Sequence, residues 1–428
     1  MAVEPRIQPS RAVIPIGIAA TLALLGDLAL FASLPLNVEV VGLAVANLGL
    51  VFSIHRILRL FGNPLVGVLI NQRRRRPFFF LGMTLATLST LGYVFANGLP
   101  VMIISRLLWG SGWSLVFLTS MAIVMDVTEE SNRGRWMGTF NTFYLIGIAF
   151  GSLLGGFLSD WIGFRMAMVV CVVLTVLGGI QAVIFLPETL VKQQEEESKV
   201  NEEKNVFFDR VRAYFQTIFS TRGLPVLLLI YMGKQFAAEG IALSLLAIML
   251  QVHFGDGVTV LGLLIGIASL NGLMLAFRYL LSALLSPILG SLSDRMKNGR
   301  YWLLAFSLAV SVISFGMIAW CRSLPWIIFA MVLNAIDGAG SHVALGAMVA
   351  NRAPKASMGK VLGLYATAGD LGSAFGPMYG YYMLNFVAVG NVFVISGGLL
   401  LGLCLLGLFG LREPVKPREQ KLSPDPSA

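Results

Sequence analysis

The sequence predicts an all-α polytopic membrane protein: twelve transmembrane helices in two pseudo-symmetric six-helix bundles. Three observations predict it: the composition, the number of long apolar runs, and an internal repeat. Of 428 residues, 57% are hydrophobic and only 12% are charged. Soluble domains carry about 25% charged residues, so a cytosolic enzyme and an ordinary nucleic-acid-binding protein are both excluded. Cys171, Cys321 and Cys404 lie in or beside apolar runs at no metal-ligand spacing. They read as small core residues, so no metal site and no disulfide framework is expected.

A spanning helix needs about 20 apolar residues. Runs of that kind fall near 14–36, 42–70, 77–97, 100–126, 136–158 and 166–187 in the first half of the chain. In the second half they fall near 223–252, 258–290, 301–320, 325–349, 361–386 and 388–411. The first run is too long for the apolar region of a signal peptide and holds Asp27 near its middle, so it reads as a retained span. Orientation follows from Lys and Arg. The two tails, the even-to-odd loops and the central loop carry 24 of them, and the opposite loops carry only Arg165 and Arg322. This bias places both termini in the cytoplasm, in a prokaryotic inner membrane by the compactness of the loops. It also explains the net charge of +9 without nucleic acid.

The polar stretch 188–222 separates an N-terminal bundle, 1–187, from a C-terminal bundle, 223–411, and residues 412–428 form a cytoplasmic tail. Within that stretch Phe207, Val211, Tyr214, Phe215 and Ile218 share one helical face. That pattern suits a helix on the membrane surface or a short helix in a plain linker.

The halves repeat each other. Asn63 to Gly67 (NPLVG) matches Ser286 to Gly290 (SPILG) at an offset of 223. After a two-residue insertion the offset is 225, and Gly134, Gly138, Gly147, Phe150, Gly151 and Gly155 meet Gly359, Gly363, Gly372, Phe375, Gly376 and Gly380. Duplicated six-span halves are a transporter architecture, with the substrate site at their interface near the midplane.

The loops after the second span of each half read GVLINQRRRR (Gly67 to Arg76) and GSLSDRMKNGR (Gly290 to Arg300). Here the chain resembles the major facilitator superfamily, over nearly its whole length, and in particular its proton-coupled drug and metabolite exporters. The family loop pattern is met by Gly290, Asp294, Arg295, Gly299 and Arg300, allowing two inserted residues, and by Gly67, Arg75 and Arg76. Asn71 stands where the family has an acid. The resemblance implies that Asp126 partners Arg75. Glycine at such a loop lets two helices approach closely, and the basic residues can pair with an acid on a neighbouring span.

RLLWGSGWS, through Arg106, Gly110 and Gly112, resembles the family's fourth-span motif, whose arginine is linked to proton coupling. An arginine inside a span is costly and faces a partner or a cavity. The stripe Gly147, Gly151, Gly155 is similar to the exporters' fifth-span motif, with Ser152 replacing the usual proline. Gly376-Pro377 supplies that pair in the eleventh span instead, within the stripe Gly372, Gly376, Gly380. The bare residues read as helix-packing glycines.

The candidate substrate and proton pathway comprises Asp27, Arg56, Arg59, Arg106, Lys234, Glu239, Arg278, Asp337 and Asp370, with His55 and His342 as possible additions. Asp27 and Arg106 lie roughly 13 and roughly 9 Å below the outer surface by helical rise, so they can meet. The expected mechanism is competition: a proton neutralises a buried acid, releases its basic partner, and shifts the balance of inward- and outward-open states. Five cations against four acids leave the pathway slightly basic, which keeps anionic and neutral substrates open.

The expected function is therefore a proton-coupled exporter of a small molecule, acting as a monomer in the bilayer without cofactor. The substrate would be a drug, metabolite or organic anion. Uptake of a sugar or organic acid, a lipid flippase and a non-transporting sensor are the alternatives. No nucleotide-binding glycine loop or nucleophile triad is visible, so an enzyme is not expected.

Overall fold

A computed structural model describes residues 7–71, 74–129, 131–189, 223–260, 262–352 and 358–411. The amphipathic segment Phe207 to Phe219 lies outside the described residues. The first half holds α1 (Pro9–Ser33), α2 (Leu48–Asn71), α3 (Arg75–Val94), α4 (Leu99–Val127), α5 (Arg133–Ile162) and α6 (Phe164–Phe185). The second holds α7 (Leu224–Phe254), α8 (Ile267–Arg295), α9 (Gly299–Trp320), α10 (Leu324–Arg352), α11 (Met358–Met383) and α12 (Val389–Gly410).

Eleven of these are long and apolar enough to cross a membrane. The exception, α11, runs 26 residues but is rich in Gly and Tyr and carries Asp370. It is spared the need for high hydropathy because it packs against both α2 and α7.

The two halves follow one packing plan. In the first, α1 packs on α5 and α6, α3 on α4 and α6, and α2 on α4. In the second, α7 packs on α11 and α12, α9 on α10 and α12, and α8 on α10. The halves meet along α5 with α8 and α2 with α11.

Those seams close tightly at the end of the bundle away from the termini. Gly156 meets the Ala268 carbonyl and Gly272 meets that of Ser152, so a Cβ at either glycine would overlap backbone. Asn271 Nδ2 donates to the Ala32 carbonyl at 3.0 Å, and the Ser269 N–H donates to Asp160 Oδ2 at 2.7 Å. Ser269 lies in the first turn of α8, so Asp160 of α5 caps a helix of the other half. At the end bearing the termini, Gly134, Gly138 and Gly346 have nothing within 4 Å of a built Cβ. The tight contacts between the halves described above thus lie at the end away from the termini.

Two features depart from the sequence reading. The eighth span was expected from about residue 258, but Gly257–Val260 and Leu263–Gly266 pair as an antiparallel hairpin, and α8 begins at Ile267. The stretch is apolar, yet β-branched Val258, Thr259, Val260 and Ile265 favour strands, and Gly262 turns the chain at φ 82°. In α7, residues Phe236–Ala242 form a π segment. It lies where Gly240 meets Gly376 of α11 backbone to backbone, with a built Cβ only 2.6 Å from the Gly376 Cα.

Candidate functional site

The first cluster lies inside the first half. Arg106 of α4 is fully buried and pairs with Asp27 of α1. Its remaining donors are also used. Nε donates to the Val51 carbonyl at 2.9 Å, Nη1 to Tyr93 Oη at 3.2 Å, and Nη2 meets His55 Nδ1 at 2.6 Å. Ser89 Oγ donates to Tyr93 Oη at 3.0 Å, and the Phe31 ring lies 5.5 Å from the guanidinium carbon. A buried guanidinium is tolerated only when its fork of donors is matched, and here α1, α2 and α3 supply the partners.

The second cluster lies between the halves. Arg59 of α2 bonds Asp370 of α11, Nη2 standing 3.2 and 3.3 Å from the two carboxylate oxygens. Glu239, in the π segment of α7, accepts from Arg278 Nη2 and Tyr279 Oη of α8, both at 2.7 Å. Tyr144 of α5 lies within the electrostatic reach of Arg56, Arg59, Glu239 and Asp370. Its ring stacks on Trp113 at 6.0 Å, and Trp113 in turn stacks on Trp109 at 5.6 Å. Across the site Tyr231 and Tyr365 stack at 3.8 Å. Opposed charges flanked by aromatic faces can hold an amphipathic molecule by charge at one part and ring contact at another.

The nine candidate pathway residues thus separate. Three pairs form: Asp27 with Arg106, Arg59 with Asp370, and Glu239 with Arg278. Arg56, Lys234 and Asp337 make no ion pair within 4 Å among the described residues. The Arg56 Nε has no hydrogen-bond partner there either. Sequence reasoning missed Tyr93, Tyr144 and Tyr279. Only the position of Tyr279 beside Arg278 offered a hint.

The loop motifs sit at the end bearing the termini. Arg75 Nε donates to Asp126 Oδ2 at 2.9 Å, and Thr189 Oγ1 donates to the same oxygen at 3.0 Å. Glu188 accepts from the Arg75 N–H at 2.9 Å. In the second half Arg300 Nη2 donates to Asp294 Oδ1 at 2.9 Å, an exposed contact, and Arg295 closes α8. Asn71 closes α2. The close helix approach expected at the loop glycines is not made: Gly67 has open space, and Gly290 has only Val343 at 3.5 Å.

The close approaches fall on the other glycines. Gly110 faces the His55 carbonyl of α2 at 2.7 Å and Gly112 faces the Gly82 carbonyl of α3 at 2.9 Å. A Cβ built on Gly147 or Gly151 would lie 3.1 Å from the Cα of Thr21 or Leu25 on α1, and one on Gly155 would overlap Ala29. Gly372, Gly376 and Gly380 face α7 in the same manner, at Met232, Phe236 and Leu245.

Twelve helices in two matched halves, eleven of them apolar enough to span a membrane, with charges buried between them, define a membrane transporter. The Major Facilitator Superfamily model matches residues 16–276 and 268–426, and the chain belongs to that family. It is 29% identical over 402 residues to multidrug resistance protein MdtG of Serratia proteamaculans, covering 91% of each chain. Its fold matches the human organic anion transporter MFSD10 with a TM-score of 0.63 at 21% identity, over 93% of this chain and 99% of that one. It also matches a bacterial homolog of the human lysosomal transporter Spinster, in an inward-facing and occupied conformation. That TM-score is 0.76 at 14% identity, over 96% and 98% of the two chains. These proteins are transporters, and this chain is a transporter rather than an enzyme.

Proposed function

We propose that the protein is a secondary transporter that exports a small amphipathic molecule in exchange for protons, by alternating access of the layer around Tyr144. The observation that carries this reading is the charged and aromatic layer lying where the halves meet, with tight glycine contacts between the halves at one end of it. Rocking the halves about α5–α8 and α2–α11 would break the Asp160 cap and the glycine contacts at the closed end and expose the same layer to the opposite side. The multidrug resistance relative supports the export direction. Proton coupling rests on buried acids whose neutralisation would release a basic partner.

Arg56 favours a substrate with an anionic group, because it enters this layer without a carboxylate partner among the described residues. The organic anion transporter of like fold is in keeping with that substrate class. The protein acts as a monomer in a prokaryotic inner membrane, with both termini in the cytoplasm.

The test is transport in proteoliposomes under an imposed pH gradient, with an internal pH dye and a panel of organic anions, sugars and cationic dyes. One substrate should move against proton flow. Tight handling of cationic dyes with no response to organic anions would contradict the substrate class. Substrate movement without proton flux would contradict the coupling.

A further inference from the structure

The internal repeat allows one helix crossing to be compared with its own duplicate. In the first half α4 crosses α3 at Gly112, where a Cβ would lie 2.9 Å from both the Gly82 carbonyl oxygen and the Ala86 nitrogen. At the offset of 225 these three positions become Asp337 of α10 and Ser307 and Ser311 of α9. Trp109 becomes Asn334. The register is checked by a size exchange one turn further on. Gly82 touches Leu115 in the first half, and Ser307 touches Gly340 in the second. A dry seam of small residues has thus been replaced by four polar side chains at the same place in the fold.

All four are at most 1% exposed. Ser307 Oγ, Ser311 Oγ, both carboxylate oxygens of Asp337 and both amide heteroatoms of Asn334 lack hydrogen-bond geometry with any partner among the described residues. The Ser311 and Ser341 hydroxyls nevertheless lie beside the carboxylate. Ser341 Oγ is committed to the Asp337 backbone carbonyl at 2.6 Å. The charges facing Asp337 from the neighbouring helices are Lys234 of α7 and Arg278 of α8, the latter already bound to Glu239. Buried polar groups in native proteins are satisfied almost without exception, so this cluster is built for something that completes it. Two cations already face it, which disfavours a further desolvated metal ion. A proton adds the one donor that a carboxyl beside an amide oxygen and two hydroxyls can use.

We propose that Asp337, set among Asn334, Ser307 and Ser311, is the group that carries the coupled proton, and that Asp27 is not. This deepens the exporter reading and rests on it. Protonation of Asp337 removes the longer-range attraction between its carboxylate and Lys234 of α7, which also faces Glu239 of the substrate layer. Asp27 remains the structural partner of Arg106.

Infrared difference spectroscopy of the purified full-length protein, acid minus alkaline, reads this without any substrate. A carboxylic-acid carbonyl band should appear on acidification, vanish in Asp337→Asn and persist in Asp27→Asn. Ser311→Ala keeps the acid and should move the band without removing it, which guards against a misfolded Asp337→Asn. A band that survives Asp337→Asn, or is lost in Asp27→Asn, or is unmoved by Ser311→Ala, overturns the proposal. So does sodium that stabilises the wild type but not Asp337→Asn against heat, because the occupant would then be a metal ion. An intact Asp337 band with no transport of any panel compound would count against the exporter reading alone. Proton-coupled transport without the band would count against the site alone.

Discussion

Arg106 in the first half and Asp337 in the second are buried charges treated in opposite ways. In the first half, Arg106 spends its donors on Asp27, Tyr93, His55 and the Val51 carbonyl. In the second half, Asp337 occupies a duplicated crossing with its oxygens unbonded and its closest cation, Lys234, out of ion-pair range. Duplication gave both halves one helix plan, and divergence placed the charges differently on it. A saturated network is expensive to disturb and so holds one arrangement. An unsaturated one changes its state when a single proton arrives. The comparison teaches that a buried charge is better judged by its unfilled hydrogen bonds than by its presence in an apolar run.

The largest effect that would break the comparison is loss of Arg106. Arg106→Ala leaves Asp27 without its partner, and breaking a buried pair from one side costs about 3–5 kcal/mol. Thermal unfolding in detergent should show that drop, and the double variant Asp27→Asn with Arg106→Met should recover much of it. Next comes backbone packing. Gly110→Ala pushes a methyl against the His55 carbonyl at 2.7 Å, and overpacking of this kind costs about 1–3 kcal/mol. The same unfolding assay reads it. On the other side of the comparison, Asp337→Asn should leave stability unchanged or raise it. A buried group with unmade bonds costs about 1–3 kcal/mol, and the amide removes the charge while keeping the shape. A loss as large as that of Arg106→Ala would erase the contrast. The smallest effect belongs to Arg300→Ala, whose partner Asp294 is 62% exposed. Exposed pairs contribute at most about 1 kcal/mol, so its melting curve should overlay the wild type, whereas Arg75→Ala, at the buried pair with Asp126, should not.

The fold was legible because its signals are long and redundant: twelve apolar runs, and glycines repeated in one register. The error at residues 257–266 has the same root. Val-Thr-Val and Leu-Leu-Ile read as apolar, and only the glycines and β-branched residues mark a hairpin. Asp27, Arg59 and Arg106 stood out because a charge within a span must find a partner. The partner of Arg59 could not be read, since Asp370 lies in the other half and 311 residues away. Tyr93, Tyr144 and Tyr279 were hidden for another reason. Tyrosine is unremarked in any membrane helix, and its role here comes only from the charges that tertiary packing sets around it. Ser307, Ser311 and Asn334 likewise gain meaning only beside Asp337.

The most direct test joins motion to the proton. Spin labels at Gly138→Cys of α5 and Gly346→Cys of α10 sit at the end bearing the termini, where a built Cβ meets nothing within 4 Å. With Cys171, Cys321 and Cys404 replaced, pulsed electron resonance would read their separation in lipid at acid and alkaline pH. The account predicts long and short populations whose ratio changes with pH, a response kept in Asp27→Asn and lost in Asp337→Asn. A single separation in the wild type, the same at both pH values, would contradict it.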